Sequence, residues 1–244
     1  MNGLILAGGE GSRLIEEGIE TPKPLIHVGG EPLIVRLLEQ LSALGCETLT
    51  CMVRVDLAGV FTALRSRDFG TPVNVIACRT PSSLHTLVQG FEKVPDGNVF
   101  CTMVDSVMPP ADWRAVYDGA RTALARGADA LLAVTPFVDD ESPLYVRTDP
   151  NGLVLELPDA GAAAVPTGTP VTGGVYAFSP RARSAARDAL ARGITRMRGF
   201  LRDFAARGAR IATLSVARII DVDHAADVRL ANAWLDSAGR GPRE

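Results

Sequence analysis

The sequence predicts an α/β protein built on a mostly parallel sheet, and three observations predict it. Apolar runs of strand length alternate with stretches of helical period from the N-terminus to about residue 137. Two of those runs, 4–7 and 98–104, carry almost no polar side chain, as strands covered on both faces do. Glycine turns separate the units, at Gly45, Gly97 and Gly127.

Taken in order, residues 4–7 form the first strand, which stops at Gly8-Gly9. Residues 32–44 place Leu33, Ile34, Leu37, Leu38, Leu41 and Leu44 at helical spacing. A short alternating strand follows at 48–53, a helix at 57–67 and an apolar strand at 73–77. The loop 78–83 leads into a helix at 84–94, and the strand 98–104 ends in Asp105. A helix at 112–126 and a strand at 128–137 complete the alternating part.

From residue 139 the pattern changes. Short strands at 144–147 and 154–157 flank Asp149-Pro150-Asn151-Gly152, a β-turn composition. Residues 158–170 are small and proline-rich and read as a loop, and 171–178 return as a strand holding Gly173-Gly174. Helices are expected at 181–191 and 197–207, a last strand at 211–222 and a closing helix at 225–235, with 239–244 a frayed tail. The expected organisation is one domain over 1–244: an alternating α/β part (about 1–137), a β-rich insertion (about 138–180), and a closing segment with the C-terminal helix (211–236).

Composition narrows the function. The chain has 244 residues, 47% hydrophobic and 22% charged, an ordinary globular balance. A net charge of −3 gives no electrostatic case for a nucleic-acid partner. No apolar run approaches the ~20 residues that span a bilayer, so no membrane partner is expected. The chain enters its first strand without a basic or cleavable leader, which gives an expected cytoplasmic location. Cys46, Cys51, Cys78 and Cys101 lack CxxC spacing and read as reduced core thiols. His27, His85 and His224 lack ligand spacing and read as structural or solvated.

The chemistry concentrates at the start. Gly8-Gly9-Glu10-Gly11-Ser12-Arg13 follows the first strand, and glycines let backbone N–H groups approach an anion and cradle it. Arg13 adds a planar cation suited to phosphate oxygens. Lys23 stands between Pro22 and Pro24, which is expected to hold its backbone extended. Together these read as a triphosphate site. The spacing is neither GxGxxG nor followed by GKS or GKT, so dinucleotide and P-loop readings are poor.

LAGGEGSRL followed by TPKPLIHVGGEPLI resembles the signature of the sugar nucleotidyltransferases, the nucleotide-sugar pyrophosphorylases, nearly completely over residues 4–34. That resemblance implies a Rossmann-like, three-layer nucleotidyltransferase fold around a mostly parallel mixed sheet, with nucleotide binding in residues 1–137, an acceptor-binding insertion at 138–180 and a closing metal motif within 211–236. It implies an enzyme that condenses an NTP with a phosphomonoester such as a sugar 1-phosphate, with Mg²⁺ as cofactor and relatives that commonly self-associate. It places the nucleotide on Leu6, Ala7, Gly8, Gly9, Gly11, Ser12, Arg13, Lys23, Ser82 and Ser83, with Arg13, Lys23 and Asp105 as catalytic residues. The metal falls to Asp105 and to Asp223 from the segment IIDVDHAADV, with Asp221 as co-ligand or neighbour. Asp223 as a helix cap is the plainer alternative, and for Ser82 and Ser83 a capping role competes with base contact. Gly173, Gly174 and Glu156 are implied on the acceptor side; the lysine that usually accompanies that glutamate is missing from LELPD, which brings Arg147 forward as a substitute. The rival functions are a cytidylyltransferase acting on a non-sugar phosphoester, a transferase that guanylylates a cofactor, whose usual signature has methionine where this chain has Leu14, and a catalytically silent nucleotide-sugar sensor.

Overall fold

In a computed structural model that describes residues 1–9, 11–65, 67–138, 142–159 and 165–239, the alternation of side chains along one strand assigns the helices to their faces. In β1 (Asn2–Ala7), Ile5 and Ala7 enter one apolar layer while Leu4 and Leu6 enter the other. Successive strand residues point to opposite faces, so a strand apolar throughout has to be covered twice.

Counting only the strands of the main sheet, β2 is Leu49–Arg54, β3 Val73–Cys78, β4 Val99–Met103, β5 Ala130–Thr135, β6 Val171–Phe178 and β7 Ile211–Ser215. Their spatial order is β7-β5-β6-β4-β1-β2-β3. Every neighbouring pair is parallel except those of β6, which runs antiparallel to both β4 and β5.

After the first short helix α1 (Ser12–Glu16), one face is covered by α2 (Leu33–Ala43) and α3 (Ala58–Arg65), and the opposite face by α4 (Ser83–Lys93). Helix α5 (Pro110–Ala125) joins α2 and α3, with Trp113 and Tyr117 edge-on to Phe100. Helices α6 (Pro180–Ala191) and α7 (Met197–Ala206) join α4 around Phe91, Phe178 and Phe200. The result is the three-layer arrangement the alternation predicts. All four cysteines are free and buried, and among the described residues no helix is long and apolar enough to cross a membrane.

A third, smaller apolar cluster lies beneath the C-terminal ends of β1 and β4. Leu14, Ile26, Val28, Leu33, Val107, Ile220 and Val222 pack there against the closing helix α8 (Ala225–Gly239). The expected last strand is in fact broken. β7 ends at Ser215, and Ile220–Asp221 pairs antiparallel with Ser106–Val107 instead. Between them the Ala217 carbonyl accepts from Thr135 Oγ1 at 3.2 Å, and the Arg218 guanidinium lies 4.4 Å from the Phe137 ring centroid. The break carries Asp221 and Asp223 across to the end of β4.

A second correction concerns Lys23. It opens a 3₁₀ turn, Lys23–Leu25, rather than an extended segment. Pro24 fits in that first turn because the N–H it lacks has no partner there anyway, and Leu25 N closes the turn on Pro22 O at 2.7 Å. The tail after Gly239 and parts of the loops at 139–141 and 160–164 lie outside the described residues.

Candidate active site

The site begins where β1 ends. Gly11 has φ +64° and caps α1, a left-handed conformation that a side chain would strain, and an added Cβ would lie 3.3 Å from Lys23 Cβ. Buried Leu14 roots the short helix in the third cluster, so the turn is held from below. Gly8 lies against Thr86 of α4.

Four charges meet at this turn. Lys23 Nζ donates to Asp105 Oδ2 and to Asp223 Oδ1, both at 2.5 Å, and Arg13 donates to Asp223 Oδ2 at 2.8 Å. The Lys23 side chain is only 9% exposed, and Asp105 17%. Burial pulls the Lys23 ammonium down, but Asp105 and Asp223 outweigh it and hold it above the ordinary lysine value. Burial pushes Asp223 up; the adjacent Lys23 charge, with Arg13, carries it below the usual carboxylate range.

Asp223 does not cap α8 with its side chain. Asp227 Oδ2 does that work, accepting from Asp223 N at 2.9 Å and His224 N at 2.7 Å. Glu17, at the end of α1, bonds His224 Nδ1 at 2.6 Å and Ala225 N at 2.7 Å. Glu17 and Asp227 therefore tie the glycine turn to the start of α8 and fix where Asp223 points. Neither stands out in sequence, because their partners lie across a contact that only the fold creates.

Three cavities with overlapping linings surround the turn. One of about 300 Å³ is lined by Leu6, Gly9, Gly11, Ser12, Arg13, Lys23, Asp105 and Asp223. A second, about 620 Å³, takes Leu6, Gly8 and Gly9 together with Arg54, Arg79, Thr80, Ser82, Ser83 and Thr86. A third, about 410 Å³, extends from Asp105, Asp221 and Asp223 past Thr172, Gly174 and Tyr176. Met103 lines all three. All lie at the C-terminal edge of the parallel strands, where ligands collect in open α/β sheets.

The residues singled out in sequence distribute unevenly over these cavities. Ala7 is buried beside the turn and lines none of the three. Ser82 Oγ is hydrogen-bonded to Thr195 O and to His85 Nδ1, while Ser83 Oγ accepts from Met197 N at 3.0 Å. Asp221 meets Ser106 Oγ at 3.4 Å. The glycine pair is closely packed: a Cβ at Gly173 would lie 2.5 Å from Ile219, and one at Gly174 (φ +72°), which also lines the third cavity, 2.5 Å from Ser106 Oγ. Glu156 and Arg147 pair with each other on an exposed two-stranded ribbon, outside the three cavities. Arg196 and Arg198, which the sequence did not single out, line the third cavity.

A family model described as the MobA-like NTP transferase domain matches residues 3–207. The chain belongs to this family. The match covers β1 to α7, so it contains Arg13, Lys23 and Asp105 but stops short of Asp223. Among curated relatives, the NTP transferase domain is 33% identical over 75 residues to the mannose-1-phosphate guanyltransferase of Pichia angusta, covering 30% of this chain and 21% of that protein. It is 29% identical over 161 residues to the CMP-5′-(3-aminopropyl)phosphonate synthase of Streptomyces rubellomurinus, covering 64% and 24%. The chain thus spans about a fifth to a quarter of the length of these relatives. Its fold recurs in many solved structures. One, assigned as a glucose-1-phosphate thymidylyltransferase of Bacillus anthracis in complex with sucrose, has a TM-score of 0.82 at 18% identity, covering 96% of this chain and 95% of that one. Another is the inositol-1-phosphate CTP transferase of T. maritima, with a TM-score of 0.77 at 15% identity, covering 100% and 98%.

Proposed function

We propose that this NTP transferase domain condenses an NTP with a sugar 1-phosphate, giving a nucleotide-diphosphate sugar and pyrophosphate. The observation that carries the reading is the meeting of Lys23, Arg13, Asp105 and Asp223 on one cavity at the glycine turn. An acceptor phosphate oxygen forms a bond to the α-phosphorus, the bond from that phosphorus to the β-bridging oxygen breaks, and pyrophosphate leaves with the electron pair. Both reactants are anions, so the protein's task is to position them and offset their charge. Lys23 stabilises the charge that builds at the α-phosphate, and Arg13 with the amides of the glycine turn holds the departing pyrophosphate. The base and ribose occupy the larger cavity beside Thr80, Ser82 and Ser83.

Asp105 and Asp223 already converge on one cation, the Lys23 ammonium. Among the described residues no group of three or more acidic, histidine or cysteine side chains is arranged to hold a metal. Two carboxylates are what Mg²⁺ takes from a protein when substrate phosphates and water supply the remaining oxygens. The donor set fits Mg²⁺, with Asp105 and Asp223 as ligands and Asp221 as co-ligand or neighbour. Bound there, the ion neutralises and orients phosphate oxygens. Buried, free cysteines suit a cytoplasmic setting, and self-association belongs to the same reading, checked by light scattering.

A second reading replaces the sugar phosphate with a non-sugar phosphoester or a phosphonate. The alignment with the phosphonate synthase, which covers 64% of this chain, supports it. A thermal-shift panel of ATP, CTP, GTP, UTP and dTTP, with and without Mg²⁺, tests the common core of both. A nucleotide at 100 times its Kd adds about 2.7 kcal/mol of stability, so one triphosphate is expected to stand out when Mg²⁺ is present. Pyrophosphate release with sugar 1-phosphates, inositol 1-phosphate and 3-aminopropylphosphonate then separates the two acceptors. If no triphosphate shifts the melt while a nucleotide-diphosphate sugar does, the chain is a sensor and the reading fails.

A further inference from the structure

We propose that Arg196 binds an oxyanion of the acceptor, an organophosphate or organophosphonate, and that Ser82 and Ser83 are positioning residues that hold Arg196 in place. The inference rests on the nucleotidyl-transfer reading and deepens it by naming what grips the second substrate.

Three arginines line the acceptor-side cavity: Arg13, Arg196 and Arg198. Arg13 is tied to Asp223. Arg198 donates to Ser142 O at 3.0 Å and lies 3.7 Å from Asp159. Among the described residues, no hydrogen bond or ion pair engages the Arg196 guanidinium, although Asp105, Asp221 and Asp223 line the same cavity. A guanidinium presents paired N–H donors that match phosphate and carboxylate oxygens. It lines the same cavity as the carboxylates that face the reacting phosphate in the proposed reaction.

The backbone around it is fixed from both sides. Thr195 O accepts from Leu84 N at 3.1 Å and is also bonded by Ser82 Oγ; Met197 N donates to Ser83 Oγ at 3.0 Å. The two serines that begin α4 therefore join it to the α6–α7 connection, one residue to each side of Arg196. Met197 and Phe200 then root α7 in the core. Fixing the chain on both sides of a cation lowers the entropy lost when it closes on an anion. Ser83 lines both the base-side and the acceptor-side cavities, so the same contact joins the two substrates' walls.

The test uses the full chain with Mg²⁺ and the α,β-methylene analogue of whichever triphosphate gives the largest shift. Methyl phosphate, which carries only a phosphate, and phosphoglycolate, which adds a carboxylate, are titrated against melting temperature. Wild type, R196A, R196K, S83A and R187A are compared; Arg187 is exposed on α6 and lines none of these cavities. In R196A the half-saturating probe concentration is expected to rise roughly ten- to hundredfold, the loss of one hydrogen bond to a charged group. R196K falls between, S83A rises severalfold, R187A matches wild type, and the half-saturating concentration of nucleotide analogue stays within about twofold in R196A, R196K and R187A. Equal wild-type affinity for both probes assigns Arg196 to the phosphate; tighter phosphoglycolate binding that R196A abolishes assigns it to a second acid on the acceptor. The proposal is overturned if nucleotide-loaded wild type responds to neither probe, or if R196A and R196K respond at wild-type concentrations. If the analogue itself does not bind, which is seen before any probe is added, the nucleotidyl-transfer reading falls as well.

Discussion

Lys23 carries one ammonium that two carboxylates share, and replacing it by methionine removes that shared cation while Arg13 stays paired with Asp223. The pH dependence follows from the directions of the shifts. Asp223 is held below its ordinary value, so its contribution to stability is present above about pH 4 and is lost as pH falls through its lower folded value. Lys23 is held above its ordinary value, so its contribution is complete below about pH 10 and disappears only in stronger alkali. The melting-temperature gap between wild type and K23M should therefore be level between pH 6 and 8 and narrow below about pH 4, as the carboxylates protonate and stop repelling each other. Circular dichroism melts across that range check it; a gap that widens in acid would show that the pair does not depend on Lys23. On the proposed reaction, K23M also lowers kcat about 10²- to 10³-fold, the scale of removing one donor aimed at developing negative charge.

At the level of elements, α7 and β6 wall the third cavity, and each depends on one residue. Phe200 is fully buried, stacked on Phe204 at 5.3 Å and tilted against Phe178 at 6.2 Å. Phe200→Ala is expected to cost about 3–5 kcal/mol, read as a lower urea midpoint. If instead the midpoint is unchanged, α7 is not anchored by this ring. In β6 the register shifts between Thr172 and Tyr176, and Gly174 occupies the left-handed region there. Gly174→Ala adds about 1–2 kcal/mol of backbone cost and drives a Cβ against Ser106 Oγ and Met103. It should lower the melting temperature and, on the proposed reading, weaken acceptor binding more than nucleotide binding. Equal weakening of both would place the bulge's influence elsewhere.

Across the whole molecule the site is closed by residues far from the motif that announces it. Asp223→Asn in the full chain is expected to keep the fold and lose the Mg²⁺-dependent part of the NTP shift. A chain ended after Gly208 keeps the glycine turn, Lys23 and Asp105 but loses β7, Asp223 and α8, and is expected to lose the shift together with cooperative melting. If the short chain still shows a Mg²⁺-dependent shift, Asp223 is not a ligand. The glycine turn, the buried strands and Asp105 were legible because local pattern fixes them: apolar runs, turn residues and a carboxylate at a strand end. The break after Ser215 was not, since Val216 to Ile219 continues an apolar texture and only the Thr135 and Phe137 contacts turn the chain. Ser82 and Ser83 were found as a pair, yet their bonds to Thr195 and Met197 cross more than a hundred residues. Arg196 carried no signal at all, being one of 23 arginines, and becomes conspicuous only when the cavity it lines is known.

One topological feature bears on how such a chain can diversify. Because β6 alone runs against the sheet, its beginning, not its end, reaches the cavity edge, and everything between β5 and β6 feeds into that beginning. The strands that bring the glycine turn and Asp105 to the same edge do so by their exits, with connections elsewhere in the chain. Length and composition can therefore change in the segment ahead of β6 without disturbing the register of β1 against β2 and β4. A segment exchange at residues 138–170 would tell whether recognition of one reactant is inherited separately from activation of the other.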